Sequence, residues 1–354
     1  MELWEEFVSS IPSGFSAILE LFDAIPKFYA GAVTDRRLKR PLDIVSREFR
    51  WAKQEFRVEI KPVIIRDKTG RKEILAGERE ETVYRVLRKM ASDRSVERSP
   101  LPVGSGADVP GVAMSFSLYD LRKRCAEIGR GFKASEIRES LEVLAQTPMK
   151  VTNETLRREI YAGPYIGLEY IQDTDNNEDG QRTLIKVTFN RLATVAIMHG
   201  MFDRVNYGVL MSLKISLAQW LYETIVRQFR QARVDLGYSI TLLRIMRESP
   251  MREYKELRKA GGQVDRAINE MVEKGVIASF PPPKREVIYE ETNSRGRPPV
   301  QDIRWTLFLT EQVVREIRSD NADRVNRTNG GAEIIDLGGL PSRRDSGRAI
   351  ERRK

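Results

Sequence analysis

One cysteine and one histidine occur in 354 residues. Cys125 alone cannot form an intramolecular disulfide or a metal site made only of thiolates, and it suits a reducing compartment. With His199 the only imidazole, metal sites built on two histidines are excluded, including the paired-histidine centre of rolling-circle nickases. No apolar run approaches the roughly 20 residues of a membrane-spanning helix, and the N-terminus lacks the basic start of a secretory signal. Neither a G-x-x-x-x-G-K-S/T phosphate loop nor a G-x-S-x-G elbow is present, so ATP hydrolysis and serine esterase chemistry have no visible support. The expectation is a soluble intracellular protein that is not an enzyme and carries no cofactor and no metal.

What is abundant is positive charge. Lys and Arg total 60 against 51 Asp and Glu, a net charge of +9, which favours polyanionic partners. The length accommodates two ordinary domains with tails. Residues 1–40 mix aromatics with Gly and Pro without a sustained period and read as a flexible arm. An extended stretch over Phe56–Ile65, a D-K-T-G turn at Asp67–Gly70 and a return at Ile74–Leu75 read as strands. A helix with Val83, Leu87 and Met90 on one face follows, then a Pro/Gly/Ser-rich loop over Ser99–Gly111.

From Phe116 the pattern tightens. FSLYDLRKRCAEIG places Leu118, Leu121 and Cys125 on one helical face, a GRG break follows, and the next helix repeats this with Ile137, Leu141 and Leu144. Extended segments at Met149–Thr152, Ile160–Ile171 and Thr183–Phe189 come next. Helix pair plus hairpin is the winged-helix order. The intervening D-T-D-N-N-E-D-G, Asp173–Gly180, superficially resembles a calcium loop. It has Glu178 where that loop needs Gly and Leu184 where it needs Glu, and so reads as a solvated hairpin tip.

After a helix over Asn190–His199 the order repeats. Helices are expected over Ile215–Phe229 and Ile240–Met246, with a turn at Ser249–Pro250 and a long helix over Arg252–Lys274. Strands at Val276–Phe280, Val287–Glu290 and Ile303–Leu309 would form a wing, and Thr310 would cap a helix ending at Arg318. The predicted class is therefore α+β. Two tandem winged-helix domains, residues 41–205 and 206–318, lie between the arm (1–40) and a disordered basic tail (319–354).

On a helical wheel, Tyr254, Leu257, Gly261, Val264, Ile268 and Met271 share one side of the long helix. Arg252, Lys255, Lys259, Gly262 and Arg266 share the other, and Glu270 and Glu273 take that face over near the end. An apolar stripe that holds a helix down, with a cationic stripe outward, is what a recognition helix needs. Arg258 and Gln263 complete its candidate DNA-binding set. Gly262 would let backbone approach a phosphate closely. In the expected wing, N-S-R-G-R-P-P (Asn293–Pro299) resembles an AT-hook core, with Arg295 and Arg297 suited to a narrow minor groove; a charged wing turn is the plainer alternative. In the first domain Lys133, Ser135 and Arg138 lie at the start and outer face of the second helix, suited to phosphate positioning or to dimerisation.

The segment LKISLAQWLYETI, Leu213–Ile225, resembles the L-x-x-S-x-A-x-x-L-Y-E pattern of iteron-binding plasmid replication initiators, through Leu213, Ser216, Ala218, Leu221, Tyr222 and Glu223. Order and spacing over Phe116–Val151 and Tyr238–Ile277 are similar to that family too. The resemblance implies binding to tandem repeats of double-stranded DNA at a replication origin, with bending or opening of adjacent A·T-rich DNA. It also implies recruitment of the host replicative helicase and sliding clamp, a homodimer through the first domain, and a bacterial cytoplasm. AILELFDAIP, Ala17–Pro26, is similar to a clamp-binding peptide of the form Q-L-x-L-F. Leu19, Leu21 and Phe22 fit this form, and Ile18 stands where Gln is usual. A winged-helix transcriptional repressor acting at a promoter operator is the alternative reading.

Overall fold

In the computed structural model the structure describes residues 11–29, 42–67, 70–93, 97–99, 111–172, 184–251, 254, 256–289 and 299–329. The segment expected to be a flexible arm is, over residues 11–29, part of the core. It forms strand β1 (Phe15–Leu19) and the short helix α1 (Glu20–Ala24). Ser16 through Phe22 are all buried. A strand covered on both faces shows no period-two alternation, and this hid β1 in the sequence.

Two strands follow, β2 (Val45–Trp51) and β3 (Gln54–Ile60), joined by a two-residue turn at Ala52 and Lys53. Both turn residues have positive φ, 48° and 67°. That is the backbone demanded by the primed hairpin turns, usually met by Asn-Gly. The hairpin β4 (Val63–Asp67) and β5 (Gly70–Ile74) leads to helix α2 (Glu78–Asp93).

The remainder of the first half runs β6 (Glu97–Ser99), β7 (Gly111–Ser117), α3 (Leu118–Glu127), α4 (Ala134–Gln146), β8 (Met149–Asn153), β9 (Arg158–Gly163), β10 (Ile166–Gln172) and β11 (Leu184–Phe189). Helix α3 starts later than its apolar spacing suggests. Phe116 and Ser117 end β7, and the Ser117 hydroxyl caps the helix by accepting from the Asp120 N–H at 3.0 Å. The extended run expected over Ile160–Ile171 is two strands in different sheets, broken at Pro164. A proline cannot donate to a ladder, and the chain changes sheet there. The acidic hairpin tip at 173–180 lies outside the described residues.

Helix α5 (Arg191–Met198), strand β12 (Phe202–Asn206) and helix α6 (Tyr207–Ser212) connect to the second half. This half comprises α7 (Ser216–Gln228), β13 (Tyr238–Thr241), α8 (Leu242–Glu248), α9 (Leu257–Glu273), β14 (Lys284–Tyr289), β15 (Val300–Leu307) and α10 (Glu311–Asn329). Two differences from the sequence reading stand out. The Val276–Phe280 segment contributes an isolated bridge, Ile277 to Leu309, and not a ladder. Helix α10 runs past Arg318 to Asn329, so residues 319–329 are helical and not tail. Asp320 is buried and accepts the Arg204 N–H at 3.0 Å, which fixes this extension to β12. Residues 330–354 lie outside the described set.

Each half repeats one topology. A helix, a strand, two helices and two further strands follow in order: α2, β7, α3, α4, β10, β11 and then α7, β13, α8, α9, β14, β15. In both sheets the last strand lies between the other two, β7-β11-β10 and β13-β15-β14, all antiparallel. The first half adds β6 to the edge and a separate sheet β2-β3-β8-β9.

The described residues form two apolar cores, and β1 serves both. Leu19, Leu21 and Phe22 belong to the first core, while Ile18 belongs to the second. β1 also pairs with β12, from Phe15 opposite Asn206 to Leu19 opposite Phe202. The N-terminal segment therefore stitches the halves together.

Charge does the same at the α2–α7 junction. The Glu223 carboxylate accepts from Arg85 at 2.9 Å and from Arg88 at 2.5 Å. Arg85 also reaches Glu81 at 2.9 Å and Gln219 at 2.7 Å, and Arg88 reaches Asp23 at 2.8 Å. Burial pushes the Glu223 carboxyl up, but the two guanidinium groups more than reverse this and hold it at about 2. Burial is the larger influence on Glu81, whose carboxyl is pushed up to about 7. Arg47 of β2 reinforces the junction by donating to the carbonyl oxygens of Ser249 and Met251.

Candidate nucleic-acid interface

Helix α9 is held from below by Ala260, Val264, Ala267, Ile268 and Met271, all buried. Gly261 is on the same side for a steric reason. A Cβ there would lie 3.0 Å from Ile303 Cδ1 and 3.3 Å from Arg285 Nη2, so glycine lets the helix sit close to β15. The Trp305 indole N–H donates to Asp265 at 2.8 Å. Glu270, which reads in the sequence as part of an acidic outer end, accepts the N–H groups of Lys214 and Ile215 at 2.6 and 3.0 Å. The two donors belong to the N-cap residue of α7 and the residue before it, and the bonds fix α9 against the beginning of α7.

With the helix anchored in this way, Arg258, Lys259 and Arg266 are exposed, and Gly262 and Gln263 are half-buried beside them. Arg258 and Arg266 have no ion pair among the described residues. Lys259 meets Glu256 at 2.8 Å, but both side chains are more than 60% exposed, 68% and 61%. Such a pair contributes about 0.2–1 kcal/mol and leaves the ammonium free to exchange partners. A Cβ on Gly262 would meet nothing within 4 Å, so this glycine opens onto solvent where Gly261 is closed by packing. Helix α9 begins at Leu257, later than expected. Arg252 and Lys255, like Arg295 and Arg297 of the AT-hook-like run, lie outside the described residues.

The β14–β15 strands add cations that the sequence reading passed over. Lys284, Arg285 and Arg304 are exposed. Arg285 lies 3.6 Å from Asp265 and Arg304 3.4 Å from Glu286, in pairs at least 39% exposed on every side chain. The signal was present as the K-R-E run and the period-two burial of Ile303, Trp305 and Leu307, which turns Arg304 outward.

In the first half Lys133 and Ser135 are exposed at the start of α4. The Lys133 N–H donates to the Glu136 carboxylate at 2.7 Å, closing the first turn. Arg138 is half-buried with its guanidinium 5.3 Å from the Tyr170 ring centre on β10. Glu139 takes a 2.7 Å hydrogen bond from Arg79. The exposed charge on α4 is thus sparser than on α9.

The three residues of the clamp-like peptide are elsewhere. Leu19 and Phe22 are within 1% of complete burial and Leu21 is 5% exposed. Phe22 packs edge-on to Tyr84 at 5.6 Å and carries the Lys27 ammonium 4.2 Å from its ring centre. The expectation that Leu21 and Phe22 are displayed on a mobile arm is corrected: a strand paired to β12 and an apolar core on both sides hold them inside.

Among the described residues no group of three or more His, Cys, Asp or Glu is arranged to hold a metal ion. No helix among them is long and apolar enough to cross a membrane.

No family model matches the sequence, and no curated protein matches it. Among solved structures the chain is similar to domains 2 and 3 of RctB, at a TM-score of 0.45 and 9% identity over 82% of this chain and 96% of that one. A second structure of those domains gives a TM-score of 0.44 and 10% identity, covering 82% and 98%. The Pi initiator protein, solved in complex with iteron DNA, gives 0.39 and 12% identity, covering 65% and 91%.

Proposed function

We propose that this chain is a sequence-specific double-stranded DNA-binding protein of the replication-initiator kind, acting by binding and deformation without chemistry of its own. The observation that carries the reading is α9. Its apolar side is locked to β15 and α7, and Arg258, Lys259, Gly262, Gln263 and Arg266 lie on its outward side. The repeated order of helices and strands, with the last strand central in each sheet, supports reading each half as a winged helix, with α4 and α9 as the third helices and β10–β11 and β14–β15 as the wings. In this reading α9 enters a major groove, where Arg, Lys and Gln hydrogen-bond base edges and phosphates. Lys284, Arg285 and Arg304 follow the adjacent backbone. The first half contributes fewer charges and positions the second.

Initiation, as opposed to simple repression, rests on the resemblance of Leu213–Ile225 to iteron-binding initiators. The energy for opening A·T-rich DNA comes from binding and bending. Recruitment of the host helicase, dimerisation through the first half and a bacterial cytoplasmic setting belong to this same reading. Clamp recruitment through Leu21 and Phe22 requires residues 15–29 to leave the core.

Footprinting the purified protein on DNA flanking its own gene tests the proposal. Several phased repeats are expected, whereas one promoter palindrome would favour the repressor. Absence of any specific footprint removes both.

A further inference from the structure

A cleft of about 520 Å³ lies where the β2–β3 turn meets the C-terminal end of α7 and the outer side of α8. Its lining is strongly one-signed. Arg50 and Lys53 come from the first half, Arg227, Arg244 and Arg247 from the second, and Glu248 is the only carboxylate among the lining residues. That carboxylate is already engaged by Arg244 and Arg247, both at 3.1 Å.

The floor holds an unresolved charge. Arg227 is only 4% exposed, yet among the described residues its guanidinium is in no ion pair, and its single hydrogen bond goes to the Thr224 hydroxyl at 3.4 Å. Its Nη1 is buried without a partner. Burial lowers its pKa, outweighing the longer-range attraction of Asp23, Glu223, Asp203 and Glu248, none of which is in ion-pair contact with it. Trp51, another lining residue and 5% exposed, has its indole N–H buried and unbonded. Five cations against one carboxylate that is already engaged, around one cleft, describe a site suited to an anion. Buried donors are otherwise satisfied in folded proteins, and a buried charge without a partner is costly.

We propose that this cleft binds a small phosphorylated molecule, larger than orthophosphate and of nucleotide size, held between the two halves of the chain. The volume falls within the range of about 300–1,000 Å³ typical of small-molecule pockets. Guanidinium groups that converge from separate elements suit the several oxygens of a polyphosphate. A continuous duplex is the poorer occupant, because it presents its phosphates on a convex surface whereas Arg227 is only 4% exposed. Helix α8 contacts both α9 and β2, so a ligand that tightens the β2–α8 contact bears on the helix assigned above to DNA. The site stands independently of the DNA-binding reading; only its regulatory consequence rests on it.

The test uses the full chain, with ATP and inorganic pyrophosphate as probes and NaCl at matched ionic strength as the control, followed by calorimetric titration and thermal unfolding. The proposal expects saturable binding and a saturable rise in Tm. Affinity should fall at least about tenfold in Arg50→Ala/Lys53→Ala, a double variant of exposed rim residues whose circular dichroism and unliganded Tm should be unchanged. In Arg227→Met the unliganded Tm should hold or rise while probe binding is lost, an outcome that a purely structural arginine does not give. A shift no larger than that of NaCl, or equal probe affinity in the rim variant, overturns the proposal. So does probe binding that a random-sequence duplex displaces while the rim variant loses duplex affinity in parallel, since the cleft would then belong to the DNA backbone. A chain that binds ATP here but no duplex leaves this site standing and sinks the DNA reading.

Discussion

Adjacent glycines in α9 offer a controlled comparison, because Gly261→Ala and Gly262→Ala add the same methyl to the same helix. Replacing glycine by alanine in a helix interior contributes about 1 kcal/mol of propensity in either case. At Gly262 the new methyl meets nothing within 4 Å, so the gain stands and Tm should rise by about 1–3 °C. At Gly261 the methyl arrives 3.0 Å from Cδ1 of Ile303, a fully buried residue beside Trp305. Overpacking of that kind costs about 1–3 kcal/mol, which cancels or outweighs the propensity. The two variants should therefore differ by about 1–3 kcal/mol, with Gly262→Ala the more stable in thermal and urea unfolding. Binding should move the other way: on the face assigned to DNA, a methyl at 262 holds the backbone away from a phosphate and lowers affinity while stability rises. Equal stabilisation by both substitutions would refute the close approach of α9 to β15. Unchanged duplex affinity in Gly262→Ala would remove the backbone contact at that position.

Replacing Lys259 and Arg266 with alanine should weaken duplex binding and flatten the dependence of log K on log salt by up to about 2, because each lost phosphate contact releases about one fewer counterion; filter binding across a salt series reads this. Glu223→Gln should destabilise the chain by about 3–5 kcal/mol, the cost of leaving buried cations without their partner, as measured by urea unfolding near neutral pH. Because the Glu223 carboxyl is held at about 2 when folded, against 4.5 for the ordinary group, its contribution is present above about pH 4.5 and is lost as pH falls toward 2. Glu81 has the opposite sign: held at about 7, it lowers stability as pH rises from 4.5 to 7, so Glu81→Gln should be better tolerated at pH 8 than at pH 5. Phe22→Ala should cost about 3–5 kcal/mol, and clamp capture by the wild-type chain should be absent unless residues 15–29 detach. Cys125, buried with its thiol pushed up to about 12, should react with a thiol reagent only after unfolding, as followed by mass.

Helix α9 was legible in the sequence because one of its sides is covered and the other is not. One-sided burial leaves a periodic record, and Val264, Ile268 and Met271 keep it. The paired helices α3 and α4 were legible for the same reason. Strand β1 left no such record, since Ser16–Leu19 are buried on both faces. The β2–β3 hairpin was missed because Ala52 and Lys53 adopt a left-handed turn without the usual Asn or Gly. The clamp-like peptide shows the limit of a short motif: Leu19, Leu21 and Phe22 have the right order for an exposed groove-binding segment, but pairing to β12 turned the same apolar side chains into core.

By itself the sequence determined the sorted charge and apolar stripe of α9, the repeated helix order and the poverty of metal ligands, because each is a property of local spacing or composition. Tertiary structure decided what no local window contains. It placed Glu223 between Arg85 and Arg88 from a helix more than 130 residues away in the chain, made residues 15–29 a seam between two cores, and brought Arg50 and Lys53 to face Arg227 across a cleft. Those outcomes depend on which surfaces meet when the two halves pack, and a charge or an apolar side chain acquires its role only from the partner that meets it there.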